Sequence, residues 1–406
     1  MSPSSQSFQY ELSLPESKYT QVLSTNPSSA NTVNIAVKLR NYFDSIYKDP
    51  RAPDIRRFTW DPWYIRCSDG KMGDVAPLPG DTDLYYGEED DHSILDGERE
   101  AVGEQIQYSL KRVQASTFFE DDSLYDEFID EIIQIGKSIG LVSTTPPWLS
   151  LYTHNDLQNL HTDASHGPMA WVYALPPSEN TYDGGDTMLM HPTILNFWHS
   201  YSFENFKSKE DDNGSGKELP SIIRFIPSKT LGKCIAFDPR VPHGVSQVKM
   251  KHPNDIREGR LVLHGWFAEP QIVWNGFERE ELDLLQMMEE DENKRDENME
   301  LLQNTLDPLI QTLGEGDIGR VMGYLAVKIE VLRDGSIGSI NAVCDTLVAD
   351  PNDFRGIIGY DEEDRPVMED AVSDVKLTIY ESLKNIYFTE IEHDTKRNVI
   401  VPFSFE

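Results

Sequence analysis

From Pro146 and Pro147 to about residue 275 the chain runs as short β-type segments, WLSLYTH, MAWVYALP, TMLM, CIAFDP and RLVLHGWF, punctuated by Gly, Pro and Asp. No other feature narrows the fold as much. Strands in series, with no regular βαβ alternation, point to an antiparallel barrel or sandwich with helices on one face. The helices come first. NIAVKLRNYFDSIY (34–47) spaces Ile35, Val37, Leu39, Tyr42, Phe43 and Ile46 at helical intervals. Residues 98–113 and 123–140 are also read as helices, the second carrying Leu124, Phe128, Ile129, Ile132, Ile133, Ile135 and Ile139 on one broad face. Residues 59–96 mix aromatics with turn formers and read as irregular or strand-and-turn structure.

The expected class is therefore α+β. A loose arm rich in Ser, Pro and Asn covers 1–33, and a strand-rich domain with flanking helices covers 34–277. A helical linker spans 278–318, with Leu302, Leu306, Leu309 and Leu313 behind a charge-dense centre. A small ββαβ unit, YLAVKIEVL, turn, IGSINAVCDTLV, helix and NVIVPFSFE, fills 319–406. The acidic run at 207–219 reads as a solvated loop.

Charge and cysteine limit the partners. With 36 Lys+Arg against 70 Asp+Glu, the formal charge is −34. Nucleic-acid phosphates and anionic membrane surfaces both attract basic patches, so neither is an expected partner. The three cysteines, Cys67, Cys234 and Cys344, form neither a disulfide framework nor a CxxC pattern, which fits a reducing compartment. No apolar run approaches the ~20 residues of a membrane helix, and the N-terminus has no apolar signal core. A cytoplasmic location is the expectation, with organelle targeting through the Ser-rich N-terminus as the alternative.

Histidine is concentrated where the strands are. Eight of the ten lie between His154 and His264. A facial-triad iron site takes two His and one carboxylate and leaves positions open for a bidentate co-substrate and dioxygen. On a strand, His-x-Asp places both side chains on one face. Two pairs qualify, His154-x-Asp156 and His161-x-Asp163, and ten His with 70 acids in 406 residues supply about 1.7 His-x-acid pairs by chance. His154 and Asp156 sit in a polar turn, THNDLQN, whereas LHTDASHGPMAWVYALPP runs into an apolar strand, so His161 and Asp163 are preferred. The third ligand should come from a distant strand, and GKCIAFDPRVPHGVSQV offers His243. Its bland reading is a hydrogen-bonded loop histidine.

In GRLVLHGWF, alternation puts Arg260, Val262, His264 and Trp266 on one face and Leu261, Leu263 and Phe267 on the other. An Arg in a barrel wall is costly unless it meets an anion. The distal carboxylate of a dicarboxylic co-substrate would supply one; a structural Arg–Asp pair is the alternative.

As a set, His161-x-Asp163, His243 about eighty residues on, and then Arg260 resemble the Fe(II)/2-oxoglutarate dioxygenases. Within them the chain is most similar to the prolyl-hydroxylase-like branch of the double-stranded β-helix (jelly-roll) fold. YDGGDTML (182–189) is similar to that branch's acidic-Gly-Gly strand start, FDPRVPHGVSQV to its distal-histidine segment and LVLHGWF to its final core strand. The resemblance covers about residues 120–275. It implies Fe(II) on His161, Asp163 and His243, and 2-oxoglutarate with its distal carboxylate on Arg260. Tyr152 sits where the branch often keeps a tyrosine against that carboxylate, and O2 is the oxidant. Two departures stand out. The His243–Arg260 gap is long and contains Arg257, a competitor for the carboxylate role; Val262 occupies a position where relatives carry a Ser or Thr hydroxyl, so one co-substrate hydrogen bond is either missing or supplied by Tyr152.

The implied activity is oxidation of a C–H bond with release of CO2 and succinate. The expected substrate is a small amino-acid-derived molecule, hydroxylated or ring-closed as kainoid-forming oxygenases do. Overall sequence character, and no diagnostic residue, carries the kainoid likeness. His166, Trp171 and His264 are candidates to line the pocket, with packing the alternative for Trp171. A protein prolyl hydroxylase and a non-catalytic cupin-like binding protein are the other readings. The C-terminal unit more loosely resembles the TonB C-terminal-like fold; His393 and Cys344 read there as structural residues, and the unit as a packing or protein-partner domain.

Overall fold

A computed structural model describes residues 20–23, 35–46, 61–68, 71–75, 105–119, 121–163, 166–177, 180–190, 223–276, 288–315, 320–350, 357–360, 366–368, 371–390 and 397–405. The acidic run at 207–219, His191, His199 and His393 lie outside the described residues, as does most of the 1–33 arm.

Helix α1 (Ile35–Ile46) packs on α2 (Asp122–Lys137), and both turn their apolar stripes inward: Leu39 and Phe43 from α1, Leu124, Phe128, Ile132 and Ile135 from α2. Asp121 starts α2 by accepting from the Ser123 and Leu124 N–H groups, which would otherwise lack partners. This helical layer covers one face of a large antiparallel sheet.

The strands of that sheet run β1 (Thr20–Leu23), β2 (Asp61–Ser68), β3 (Lys71–Val75), β4 (Gln105–Gln114), β5 (Leu141–Thr144), β6 (Trp148–Tyr152), β7 (Leu157–His161) and β8 (Met169–Ala174). After the short β9 (Tyr182–Asp183), which pairs with β14 (Lys249–Met250), come β10 (Thr187–Met190), β11 (Ile223–Ile226), β12 (Cys234–Phe237), β13 (His243–Val245) and β15 (Arg260–Pro270). The spatial order is β1-β12-β8-β15-β6-β4-β7-β13-β10-β11. β4 joins the two halves, its end pairing with β6 and its middle with β7.

Two expectations are corrected here. Thr20–Leu23, placed in a loose arm, is a strand on β12. The segment 98–113, read as a helix, holds β4 over Gln105–Gln114. Ile106, Tyr108 and Leu110 alternate with polar residues at period two, and three neighbouring strands take up its backbone groups.

Alternation along β15 is as expected. Leu261, Leu263 and Phe267 enter the layer under the helices with Trp171, Tyr173 and Phe128, while Val262 joins Leu110, Tyr152, Tyr182 and Val245 on the opposite, inner face. Each fully buried Leu or Phe of the outer layer contributes roughly 1.5–3 kcal/mol, so sheet and helices hold together through many small terms.

The C-terminal unit follows β16 (Val273–Asn275) and α3 (Met288–Glu315). It contains β17 (Val321–Val331), β18 (Ile337–Asp345), β19 (Val348–Ala349), β20 (Ile357–Tyr360), β21 (Pro366–Met368), α4 (Ala371–Leu383) and β22 (Arg397–Phe405). The expected ββαβ path is present, with β19 to β21 inserted before the helix; no comparison supports the likeness to a TonB-like fold. Part of its sheet is buried on both sides. Leu325, Val327, Ile329 and Val399 face α3 and α4, while Tyr324, Ala326, Cys344 and Ile400 complete the core of the first unit.

Candidate metal centre and anion pocket

His161 ends β7 and His243 begins β13, and the two are direct cross-strand partners. Each ring is turned by a local bond, with His161 Nδ1 2.9 Å from the Asn159 carbonyl and His243 Nδ1 2.9 Å from the Val241 carbonyl. A carbonyl only accepts, so each Nδ1 carries a proton, and in the neutral ring Nε2 is the nitrogen left to accept or to ligate a metal, the arrangement metal-ligating histidines show. Asp163 lies past the strand end, so period-two alternation does not place it. Its N–H donates to the Pro239 carbonyl at 3.2 Å, which brings the carboxylate back to the imidazoles.

The Asp163 oxygens stand 3.5 Å from His161 Nε2 and 3.4 Å from His243 Nε2. Three electron-rich groups thus converge, with ligand atoms all within 4.8 Å of one another, and can hold a metal ion. Burial raises the Asp163 carboxyl, but hydrogen bonds from the His161 and His243 rings in their protonated form outweigh it and hold it well below the usual carboxylate range. The rival pair is spent on a turn. The buried Asp156 carboxylate accepts from the Thr153 N–H at 2.7 Å and the Thr153 hydroxyl at 2.8 Å, Asn155 has φ 71°, and His154 Nδ1 accepts from the Met250 N–H.

Arg260, at the start of β15, is 1 % exposed. One terminal nitrogen reaches the Thr187 and Ser228 hydroxyls at 3.2 and 3.3 Å, while Nε and the other terminal nitrogen are buried with no hydrogen-bond partner among the described residues. Among the described residues no carboxylate neutralises it, so the structural Arg–Asp alternative does not apply to this side chain. Arg257, the competitor, is already bound to Asp255 at 2.7 and 2.5 Å. An entering carboxylate would satisfy the orphaned fork.

The neighbourhood makes room for that fork. Gly184 and Gly185 have φ of 69° and 68°; a Cβ on Gly185 would lie 3.0 Å from Arg260 Cδ, and one on Gly184 would lie 2.0 Å from the Gln247 carbonyl. The acidic-Gly-Gly segment is thus the wall against which Arg260 lies. Two hydroxyls that sequence reading did not single out, Thr187 and Ser228, stand where Val262 provides none. Thr187 carried a faint signal as the first residue of the strand after DGGD; Ser228 carried none.

Tyr152 pairs with Arg260 across β6 and β15, its ring 4.7 Å from the guanidinium carbon. Burial raises its phenol despite the nearby Arg260, so it stays protonated and donates to Gln158 Oε1 at 2.9 Å. His264 lies further along the same face, its Nε2 2.8 Å from the Ser150 hydroxyl. Burial first, then the Arg112 charge, push it down to about 4. His166 is exposed, with its ring against Trp266 at 4.7 Å. Trp171 is a correction. β8 turns it outward into the core between Phe128 and Phe267, where its indole N–H donates to the Thr144 hydroxyl at 2.9 Å, so it packs and does not line the inner face.

A scan against protein-family models finds no match, and a search of curated proteins finds none either. Among solved structures, the chain is similar to a Pseudomonas putida prolyl-4-hydroxylase at 16% identity and TM-score 0.25, over 39% of this chain and 71% of that one. It is similar to a 2OG-Fe(II) oxygenase family oxidoreductase from Burkholderia pseudomallei at 10% identity and TM-score 0.25, over 40% and 68%. It is also similar to YcfD, a ribosomal oxygenase from Escherichia coli solved with cobalt and succinic acid, at 12% identity and TM-score 0.26, over 84% and 90%. The likeness to 2-oxoglutarate–Fe(II) oxygenases thus recurs among solved structures, and with scores of this size the reading of the site rests on its own side chains.

Proposed function

We propose that the chain is an Fe(II)- and 2-oxoglutarate-dependent dioxygenase, with the folded sheet as a double-stranded β-helix core. One observation carries the reading: a His161–Asp163–His243 cluster and a buried Arg260 with two unpartnered nitrogens, both on the inner side of one sheet. When bound, Fe(II) and 2-oxoglutarate supply O2-driven oxidation of a substrate C–H bond, with CO2 and succinate as co-products.

The protein's part is placement. His161, Asp163 and His243 would hold Fe(II) through two imidazole nitrogens and a carboxylate oxygen, a donor set that suits it. Arg260, with Thr187 and Ser228, takes the distal carboxylate of the co-substrate, and Tyr152 closes the pocket beside it. His264, neutral near pH 7, adds a polar group without adding charge. The substrate is read as a small amino-acid-derived molecule, hydroxylated or ring-closed, with His166 and His264 at its pocket. The C-terminal unit is read as a packing element that also offers a surface to a protein partner.

The test is an anaerobic titration of metal-free protein with Fe(II) and 2-oxoglutarate, followed by the visible charge-transfer band of the chelate. The band should disappear in His161→Ala and require far more 2-oxoglutarate in Arg260→Ala. Folded wild-type protein with no band would make the sheet a binding module and remove the oxygenase reading.

A further inference from the structure

We propose that Gln158, released from His161 when metal binds, donates to the 2-oxo acid end of the co-substrate and so couples the two binding events. This rests on the oxygenase reading above. Gln158 lies three residues before His161 and touches both sides of the site. Its Nε2 is 3.2 Å from His161 Nε2, and its Oε1 accepts from the Tyr152 hydroxyl at 2.9 Å.

With His161 neutral, the polarity of this bridge follows from its partners. His161 Nδ1 donates to the Asn159 carbonyl, so Nε2 accepts and the Gln158 amide nitrogen must be its donor. Tyr152 is a protonated phenol and donates to the amide oxygen. An imidazole nitrogen has one lone pair. A metal ion that takes it deprives the Gln158 N–H of its acceptor, while the Tyr152 hydroxyl still holds the other end of the amide.

A partly buried donor left without an acceptor is costly. The replacement that the chemistry supplies is an oxygen beside His161 on the metal, which the 2-oxo acid end of the co-substrate provides. Tyr152 meanwhile stacks on Arg260, which takes the distal carboxylate. The Tyr152–Gln158 pair therefore spans the ligand from end to end. A dicarboxylic 2-oxo acid is the class with an acceptor at both places.

The test uses full-length Gln158→Leu, which removes donor and acceptor, and Gln158→Glu, which keeps an acceptor for Tyr152 and loses the donor. Metal-free proteins are titrated with Co(II), read by its d–d bands, and Fe(II)-loaded proteins with 2-oxoglutarate, read anaerobically by the chelate band. Both variants should bind Co(II) at least as tightly as wild type. The 2-oxoglutarate Kd should rise about tenfold or more in Gln158→Leu and further in Gln158→Glu, where carboxylate faces carboxylate.

Unchanged 2-oxoglutarate affinity in folded Gln158→Leu overturns the inference and leaves the oxygenase reading standing. Weaker Co(II) binding in both variants overturns it too, because Gln158 would then only hold His161 in place. Should the Leu variant fail to fold, the nearly isosteric Glu variant decides by the same two titrations. Wild type that binds neither Co(II) nor 2-oxoglutarate removes both the reading and the inference.

Discussion

Arg260 carries the sharpest conflict between stability and function. A guanidinium buried to 1 % exposure with two unpartnered nitrogens costs free energy in the ligand-free protein. Replacing it with a side chain of similar length and no charge, Arg260→Met, should stabilise the ligand-free fold by about 1–3 kcal/mol in urea melts. On the oxygenase reading, the same variant should lose the stabilisation that 2-oxoglutarate is expected to give metal-loaded wild type. Destabilisation by Arg260→Met would mean that the guanidinium is already satisfied without ligand.

His264 gives a pH signature at the same scale. Burial lowers its folded pKa to about 4 from the ordinary 6.5, so between these values the unfolded chain binds the extra proton. The contribution is fully present above pH 6.5 and is lost as pH falls toward 4. The shift corresponds to about 3 kcal/mol. His264→Asn, which cannot titrate and keeps a polar group near Ser150, should flatten the loss of stability from pH 7 to pH 5 in urea melts. An unaltered profile would show that the ring is solvated in the folded protein.

At the scale of elements, the segment from β9 to β10 is a backbone device. Gly184 and Gly185 both have left-handed φ, and their α-hydrogens face the Gln247 carbonyl and the Arg260 side chain. Gly184→Ala should cost about 1–3 kcal/mol of stability, since both conformation and space oppose a Cβ. Gly185→Ala meets the Arg260, Tyr182 and Val248 side chains at 3.0 and 3.1 Å rather than a carbonyl at 2.0 Å, so it should cost less stability than Gly184→Ala, yet on the oxygenase reading weaken 2-oxoglutarate binding by displacing Arg260. A melt and a ligand titration on each variant separate the two effects. Equal effects on both measurements would show that the glycines serve only the turn.

Elements also show how far local pattern reaches. The stripe on α2 and the alternation of β15 were legible because every residue on the buried face is apolar at the right period. β4 was not, because QIQYSLKRVQ is amphipathic at period two and tolerable at helical period, and its three partner strands are distant in sequence. The Thr20–Leu23 strand was missed for the same reason: pairing with β12 supplies what composition does not.

For the whole molecule, the loop that delivers His243 is held from several sides. The buried Asp238 grips Arg240, Arg240 donates to the Thr346 carbonyl of the C-terminal unit at 2.8 Å, and the Pro239 carbonyl receives the Asp163 N–H. Tyr324 donates to the Ile139 carbonyl at 2.6 Å across the same boundary. Arg240→Ala should therefore weaken Co(II) binding several-fold, roughly the loss of one or two hydrogen bonds, with a smaller change in melting temperature. Equal metal affinity would show that the loop keeps its shape without the C-terminal unit. Removal of residues 319–406 should leave the first unit unable to fold, because Tyr324, Ala326, Cys344 and Ile400 belong to its core; a cooperative melt from that truncation would show two independent units.

The amino-acid sequence by itself determined the strand-rich class, the amphipathic faces and the short set His161, Asp163, His243 and Arg260. Periodicity and residue chemistry are local, and an Arg at an inner-face position needs an anion wherever the strand lies. Only the tertiary structure decided that Asp156 serves a turn, that Arg257 belongs to Asp255, that Trp171 faces outward, and that Thr187 and Ser228 lie against Arg260 and Gln158 against His161. Those outcomes depend on which groups meet across the folded sheet, and hydrogen bonds and ion pairs are satisfied by neighbours in space that no spacing along the chain encodes.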